Sequence, residues 1–304
     1  MSRYSCRMRP CFIVAACVMG MTASGLLTLA VTQSGPDDGS RGLWDTDFVN
    51  KRQRKNRQTT QLYKITGERA KAEPGASGML LGVTVWRLNQ PTRSDDQGAR
   101  IIDHKEETEW AAERVETGTP MPASSRVRIT IESPRTGFLY VIDRERYADG
   151  SLSDPYLVFP TMHTRGGDNR VVAGRLIELP DQQDRPPYFT LTRSRSNHLG
   201  EELIIIVTEQ KLPGLEGKIG RSYIKLAASD IPQLAEWEKR LGGRAERIDL
   251  IEGAGKPYTR EEKEGGGNGE RLLTQDEPLP QTIYRVLVKP GEPLLVIVPL
   301  RISG

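Results

Sequence analysis

The stretch "DRERYADGSLSD" places Asp143, Asp149 and Asp154 in one polar segment between two apolar runs. Grouped carboxylates are the residue type that holds Ca²⁺, but an EF-hand loop needs ligands at alternating positions and a terminal glutamate. That pattern is missing, and Asp149-Gly150 is first a turn former. The three aspartates therefore define at most a loose metal site. Three histidines occur, His104, His163 and His198. Neither G-x-S-x-G nor H-E-x-x-H is present, so the familiar serine-hydrolase and zinc-protease arrangements are absent. "GAGKPYT" imitates a phosphate-binding loop, but Leu250 stands where the first glycine belongs and Pro257 where the Mg²⁺-binding hydroxyl belongs.

The remaining chemistry is charge. Arg135, His163, Arg165, Arg193, Arg195 and His198 lie in loops with few acids, and Tyr147 adds an aromatic hydroxyl to the aspartate-rich loop. If successive strands alternate in direction, the loops at 133–137, 161–169 and 193–201 share one end. Those at 143–155 and 180–187 then share the other. The basic end is expected to bind an anionic partner through its summed field. A net charge of +3 gives no basic excess of the kind that marks nucleic-acid binders. The rival reading is a metal-assisted hydrolase, or a metal-gated binder, built on the aspartates or on His163 with His198. No cofactor is expected.

Such loops need strands to hold them. "RVRITIES" alternates, with Val127, Ile129 and Ile131 on one face and Arg126, Arg128, Thr130 and Glu132 on the other, as in a half-buried strand. "SPRTG" turns the chain into "FLYVI", which is apolar on both faces and so central. "MLLGVTVWRL", "YLVF", "RVVAGRLIEL", "YFTLTRS", "ELIIIVT", "TIYRVLVK" and "PLLVIVPLRI" are further strands bounded by Gly, Pro or Asp. One helix is expected over 230–241, capped by Ser229 or Asp230 and ended by Gly242-Gly243, with Leu234, Trp237 and Leu241 on its packed face. The fold class predicted is mostly β: an antiparallel β-sandwich of immunoglobulin-like architecture with one packed α-helix. The sandwich should span 79–302, with a core at about 126–209 and a C-terminal extension holding the helix and strands at 281–302. The glycine run 265–269 reads as a mobile loop.

Residues 1–32 read as a signal peptide or N-terminal membrane anchor. Arg3, Arg7 and Arg9 precede an uncharged run from Cys11 to Thr32. Cys6, Cys11 and Cys17 are the chain's cysteines, so removal of the leader would leave none for disulfides or catalysis. Residues 33–78 read as a polar, disordered linker, with a basic "KRQRKNRQTTQ" able to meet acidic headgroups. The expected location is periplasmic, secreted or held at the inner membrane through 11–32.

The series "RVRITIES", "GFLYVIDRERYADGS", "PYLVFPT", "GGDNRVVAGRLIELP", "YFTLTR" and "EELIIIVTE", from Arg126 to Glu209, resembles the bacterial domain-of-unknown-function family numbered 4384. The carriers are the Gly-Phe-Leu-Tyr strand, the Asp-Gly loop, Phe159-Pro160, Asn169 before a strand, and Leu179-Pro180. The flanking "GVTVWRL", "AEWE" and "PQTIYRV" look like longer exported versions. The resemblance implies a compact β-rich accessory domain of envelope or secreted proteins, without an agreed activity or catalytic residues. The function expected is non-catalytic binding or scaffolding in the cell envelope, with an envelope protein or anionic polymer as partner. A third reading is a structural subunit recognised by an exposed edge strand at "PLLVIVPLRI".

Overall fold

A computed structural model describes residues 63–66, 74–91, 98–266, 273 and 278–304. The leader at 1–32, most of the expected linker and the end of the glycine run lie outside the described residues. Among the described residues no helix is long and apolar enough to cross a membrane.

Two antiparallel sheets pack face to face. The first contains nine strands. These are β1 (Tyr63–Thr66), β2 (Ser77–Asn89), β3 (Arg100–Asp103), β4 (Thr108–Val115), β5 (Arg126–Glu132), β9 (Leu176–Leu179), β10 (Phe189–Thr190), β13 (Ala245–Leu250) and β14 (Thr282–Val288). The second contains six: β6 (Gly137–Tyr147), β7 (Tyr156–Phe159), β8 (Arg170–Val171), β11 (His198–Thr208), β12 (Ile224–Lys225) and β15 (Leu294–Arg301). This is a β-sandwich larger than the seven to nine strands of an immunoglobulin domain.

The period-two pattern sets the core. Val83 and Val85 of β2 and Val127, Ile129 and Ile131 of β5 meet Leu139, Val141, Leu203, Ile205, Val207, Val296 and Val298 from the other sheet. The opposite face of β6, Tyr140 and Ile142, joins Ile204, Ile206 and Leu295 beneath helix α1 (Leu234–Leu241). Leu234 and Leu241 are buried there, and Trp237 packs beside them. The strand "FLYVI" is thus central and buried on both faces, as its sequence requires.

Several boundaries differ from the sequence reading. The helix starts at Leu234, four residues later than expected. Asp230 instead closes the turn before it, accepting from the Ala227 amide at 3.0 Å and pairing with Lys218. Helix α2 (Arg260–Gly266) begins where no element was expected and reaches into the glycine run. Tyr63–Thr66, expected within the linker, pairs with β13. The polar face of β5 is not solvated. Arg128, Thr130 and Glu132 are buried because Tyr258 and Glu262 cover that side of the first sheet. Arg128 pairs with buried Glu178 at 2.8 Å, and Tyr258 donates to Glu178 at 2.8 Å. Strand β15 is buried along most of its length. The amides of Gly118 and Met121 close its outer edge by donating to Pro299 and Arg301, so no free apolar edge exists over that half.

One topological feature decides where the loops go. β7 and β8 both run antiparallel to β6, and β9 and β10 both run antiparallel to β5. Each pair is therefore one line of strand interrupted by an excursion, 160–169 in one case and 180–187 in the other, with β12 flanking β7. Neither excursion reverses the chain. Counting them as reversals displaces every later loop, which is why the expected sorting of charge between the two ends fails.

Candidate functional site

The two excursions leave neighbouring edges of the two sheets and meet at the side of the sandwich. Thr164 donates its hydroxyl to Asp184 at 2.5 Å, and the Asp181 amide donates to the same carboxylate oxygen at 2.8 Å. Burial pushes the Asp184 carboxyl up, opposed by these two hydrogen bonds. A third segment, 219–223, closes the arrangement through a bond from the Met162 amide to the Gly220 carbonyl at 2.8 Å. Phe159-Pro160, Leu179-Pro180 and Arg185-Pro186 are cis peptides along the same border.

Between these segments lies a cleft of about 270 Å³. Val158, Leu179, Pro180 and Phe189 supply its apolar wall, Thr161, Thr164 and the hydrogen-bonded Asp184 its polar one, and its rim carries His163, Arg185, Arg221 and Tyr223. Tyr223 is 54% exposed, and its ring stands 6.2 Å from that of Phe189. Met162 is exposed beside them. His163, Arg185 and Arg221 are exposed and have no hydrogen bond or ion pair among the described residues. Unpaired guanidinium groups beside an apolar wall can hold a carboxylate or phosphate by charge-assisted, bidentate bonding. The volume falls just below the roughly 300 Å³ at which pockets for drug-sized ligands begin. It suits one or two units of a larger partner.

The sequence-selected residues are divided among three places. Of the basic set, His163 lies in the cleft. Arg165 sits on the same excursion, with its guanidinium 3.3 Å from the Arg170 carbonyl. Arg135 is at the upper end, where it serves the fold: it donates to the carbonyls of Val207 and Glu292. Burial lowers its pKa, against the charge of Glu209. Arg193, Arg195 and His198 are at the lower end with Tyr147, because Tyr147 and His198 face each other in register. Arg193 donates to the Ser303 carbonyl at 2.8 Å, and Arg195 lies 4.7 Å over the Tyr147 ring. Tyr147 is itself buried and donates to Glu145.

The three aspartates do not converge. Asp143 faces the interior on β6, Asp149 accepts from the Ser151 amide and hydroxyl, and Asp154 pairs with Lys225 at 2.6 Å. His163 and His198 occupy different places as well. One group of side chains among the described residues does have the composition of a metal site. Glu145, His198 and Glu201 bring ligand-type atoms within 4.8 Å of one another. The imidazole, however, is committed at both nitrogens. Nδ1 accepts from the Ser194 amide at 3.2 Å, so a neutral ring carries its hydrogen on Nε2, which faces the Gly200 carbonyl at 2.9 Å. A ring held this way presents no lone pair to an ion.

A second cavity, of about 440 Å³, opens at the lower end between Arg146, Leu199, Glu202, Pro299, Arg301 and Ile302. Arg146 is already paired with Glu202 there and Arg301 is a single exposed cation, whereas the side cleft brings two unpaired guanidinium groups beside an exposed aromatic ring.

Arg221, Tyr223 and Phe189 escaped the sequence reading. Arg221 and Tyr223 lie in "GRSYIKL", where two residues of strand carry no periodicity to notice. Arg185 lies in the 180–187 loop among aspartates, where its sequence neighbours give no sign of a site. Comparison with protein-family models, with curated proteins and with solved structures found no match.

Proposed function

We propose that this chain is a non-catalytic binding module of the bacterial cell envelope that holds a carboxylate-bearing segment of a protein or polymer in its side cleft. The observation that carries the reading is the convergence of Arg185 and Arg221, free of partners, beside exposed Tyr223 and an apolar wall built on Phe189. Most other arginines named above are held by carbonyls, carboxylates or aromatic rings. Of the basic residues expected from the sequence, His163 lines the cleft and Arg165 lies on the same excursion. The resemblance to the family numbered 4384, an accessory domain of exported proteins, agrees with a binding role and with export behind the leader at 1–32.

The test is calorimetric titration of the protein with poly-L-glutamate and with polygalacturonate at low salt. Arg185→Glu with Arg221→Glu should abolish binding of whichever polyanion the native protein takes up, and added salt should weaken the native interaction. Native binding that survives both substitutions, or binding of neither polymer, would rule the proposal out.

A further inference from the structure

Along β6 the sequence Asp-Arg-Glu-Arg is sorted by the pleat. Asp143 and Glu145 share the face of Leu139 and Val141 and point into the sandwich, while Arg144 and Arg146 point outward. The outward arginines are both paired, Arg144 with Glu238 at 3.1 Å and Arg146 with Glu202. The inward carboxylates have no ion pair with an arginine and meet a third, Glu201, whose Oε1 lies 3.5 Å from the His198 imidazole. Glu201 of β11 stands directly opposite Glu145 in register, and Asp143 is the next inward residue of β6. Like charges directly opposite on adjacent strands destabilise a sheet. Moreover, Asp143 Oδ1 and Glu201 Oε2 are buried without a hydrogen-bond partner. An unpaired, buried carboxylate is costly, whereas a protonated carboxyl brings its own donor.

We propose that this inward trio is a pH-sensitive latch at the lower end of the sandwich: Asp143 and Glu201 stay beside Glu145 by retaining their protons, and losing them loosens the β6–β11 seam and the 191–197 segment beneath it. This inference does not depend on the side cleft.

The surrounding groups assign the roles. Glu145 is the ionised member. Burial works against its charge, but hydrogen bonds from Ser194 and Tyr147 and the positive field of Arg195 hold its pKa below the usual value. The Ser194 hydroxyl donates to it at 2.6 Å. Burial and then the charges of Asp143 and Glu145 push Glu201 up to about 8, and burial followed by the charge of Glu145 pushes Asp143 up to about 7. Tyr223, from the segment beside β12, is the further titratable group that senses Asp143. Burial of its hydroxyl, with the charges of Asp184 and Asp143, pushes it up to about 12, so it stays neutral throughout this range.

For carboxyls whose folded pKa is raised, the folded chain binds protons that the unfolded chain has released. Their stabilising contribution is complete in acid and is lost as pH rises through about 7 to 8. Thermal unfolding of the full chain between pH 6.5 and 8.5 tests this. The native Tm should fall by on the order of 5 °C across the range. Glu201→Gln, which cannot ionise, should remove most of that fall, while Glu113→Gln, at a partly exposed pair with Arg87, should keep it. A flat native profile, or an unchanged fall in Glu201→Gln, overturns the proposal. Should Glu201→Gln fail to fold, carboxyl-carbon NMR titration of the native chain decides. Midpoints for Asp143 and Glu201 near 7 to 8 support the latch, and midpoints in the ordinary carboxylate range overturn it.

Discussion

Thr164 and Asp184, twenty residues apart and on excursions from different sheets, are joined by a 2.5 Å hydrogen bond that fastens one excursion to the other. Both residues are buried, so the bond is shielded from water. Thr164→Val keeps the side-chain shape and removes the donor, while Asp184 retains the Asp181 amide. The expected loss is about 1 kcal/mol in urea unfolding, together with weaker polyanion binding. Equal affinity for native and variant protein would show that the cleft does not depend on this fastening.

Arg135 and Arg221 look alike in sequence and should behave oppositely. Arg135 is largely buried and donates to carbonyls from two other segments, so Arg135→Ala should lower stability by about 1–3 kcal/mol and leave polyanion affinity intact. Arg221→Ala should lower affinity and leave Tm within a degree or two. Parallel unfolding and titration experiments check both.

The covered face of the first sheet gives a third expectation. Arg128 and Glu178 form a pair whose side chains are 1% and 0% exposed. Arg128→Met strands Glu178 in the interior and should cost about 3–5 kcal/mol. Replacing both, as Arg128→Met with Glu178→Leu, should recover much of that loss, because the desolvation penalty vanishes with the charges. Chemical denaturation of the single and double variants distinguishes the cases.

Gly200 interrupts β11 at a bulge, with φ near +145° and the Leu300 carbonyl only 2.1 Å from where a Cβ would sit. Gly200→Ala should therefore displace β15 at the lower end and lower Tm by several degrees. Gly150→Ala, with φ +83° but nothing within 4 Å, should cost less, near the roughly 1–2 kcal/mol of left-handed backbone alone.

The contrast between what the chain reveals and conceals has a physical basis. Val127, Ile129 and Ile131 announce their face because burial against a sheet imposes a strict period of two. The helix face of Leu234, Trp237 and Leu241 follows equally from its own repeat. Arg128 was read as solvated because a single strand cannot show that Tyr258, more than a hundred residues later, will cover it. The same applies to β3, β4 and β13, whose polar residues hide the alternation. The cleft was hidden for another reason. Pro160 and Pro180 read as stops, yet the chain resumes its former direction after each excursion, and only the pairing of β8 with β6 and of β10 with β5 records this. Asp143 was read as part of a polar loop, because its apolar surroundings come from the core above it.

The collinearity of β7 with β8 and of β9 with β10 separates recognition from architecture. Lengthening or rewriting either detour alters the walls of the binding groove while every strand keeps its neighbours, register and direction. Such a scaffold can acquire new ligands through insertion or substitution at two addresses, without asking its interior to repack.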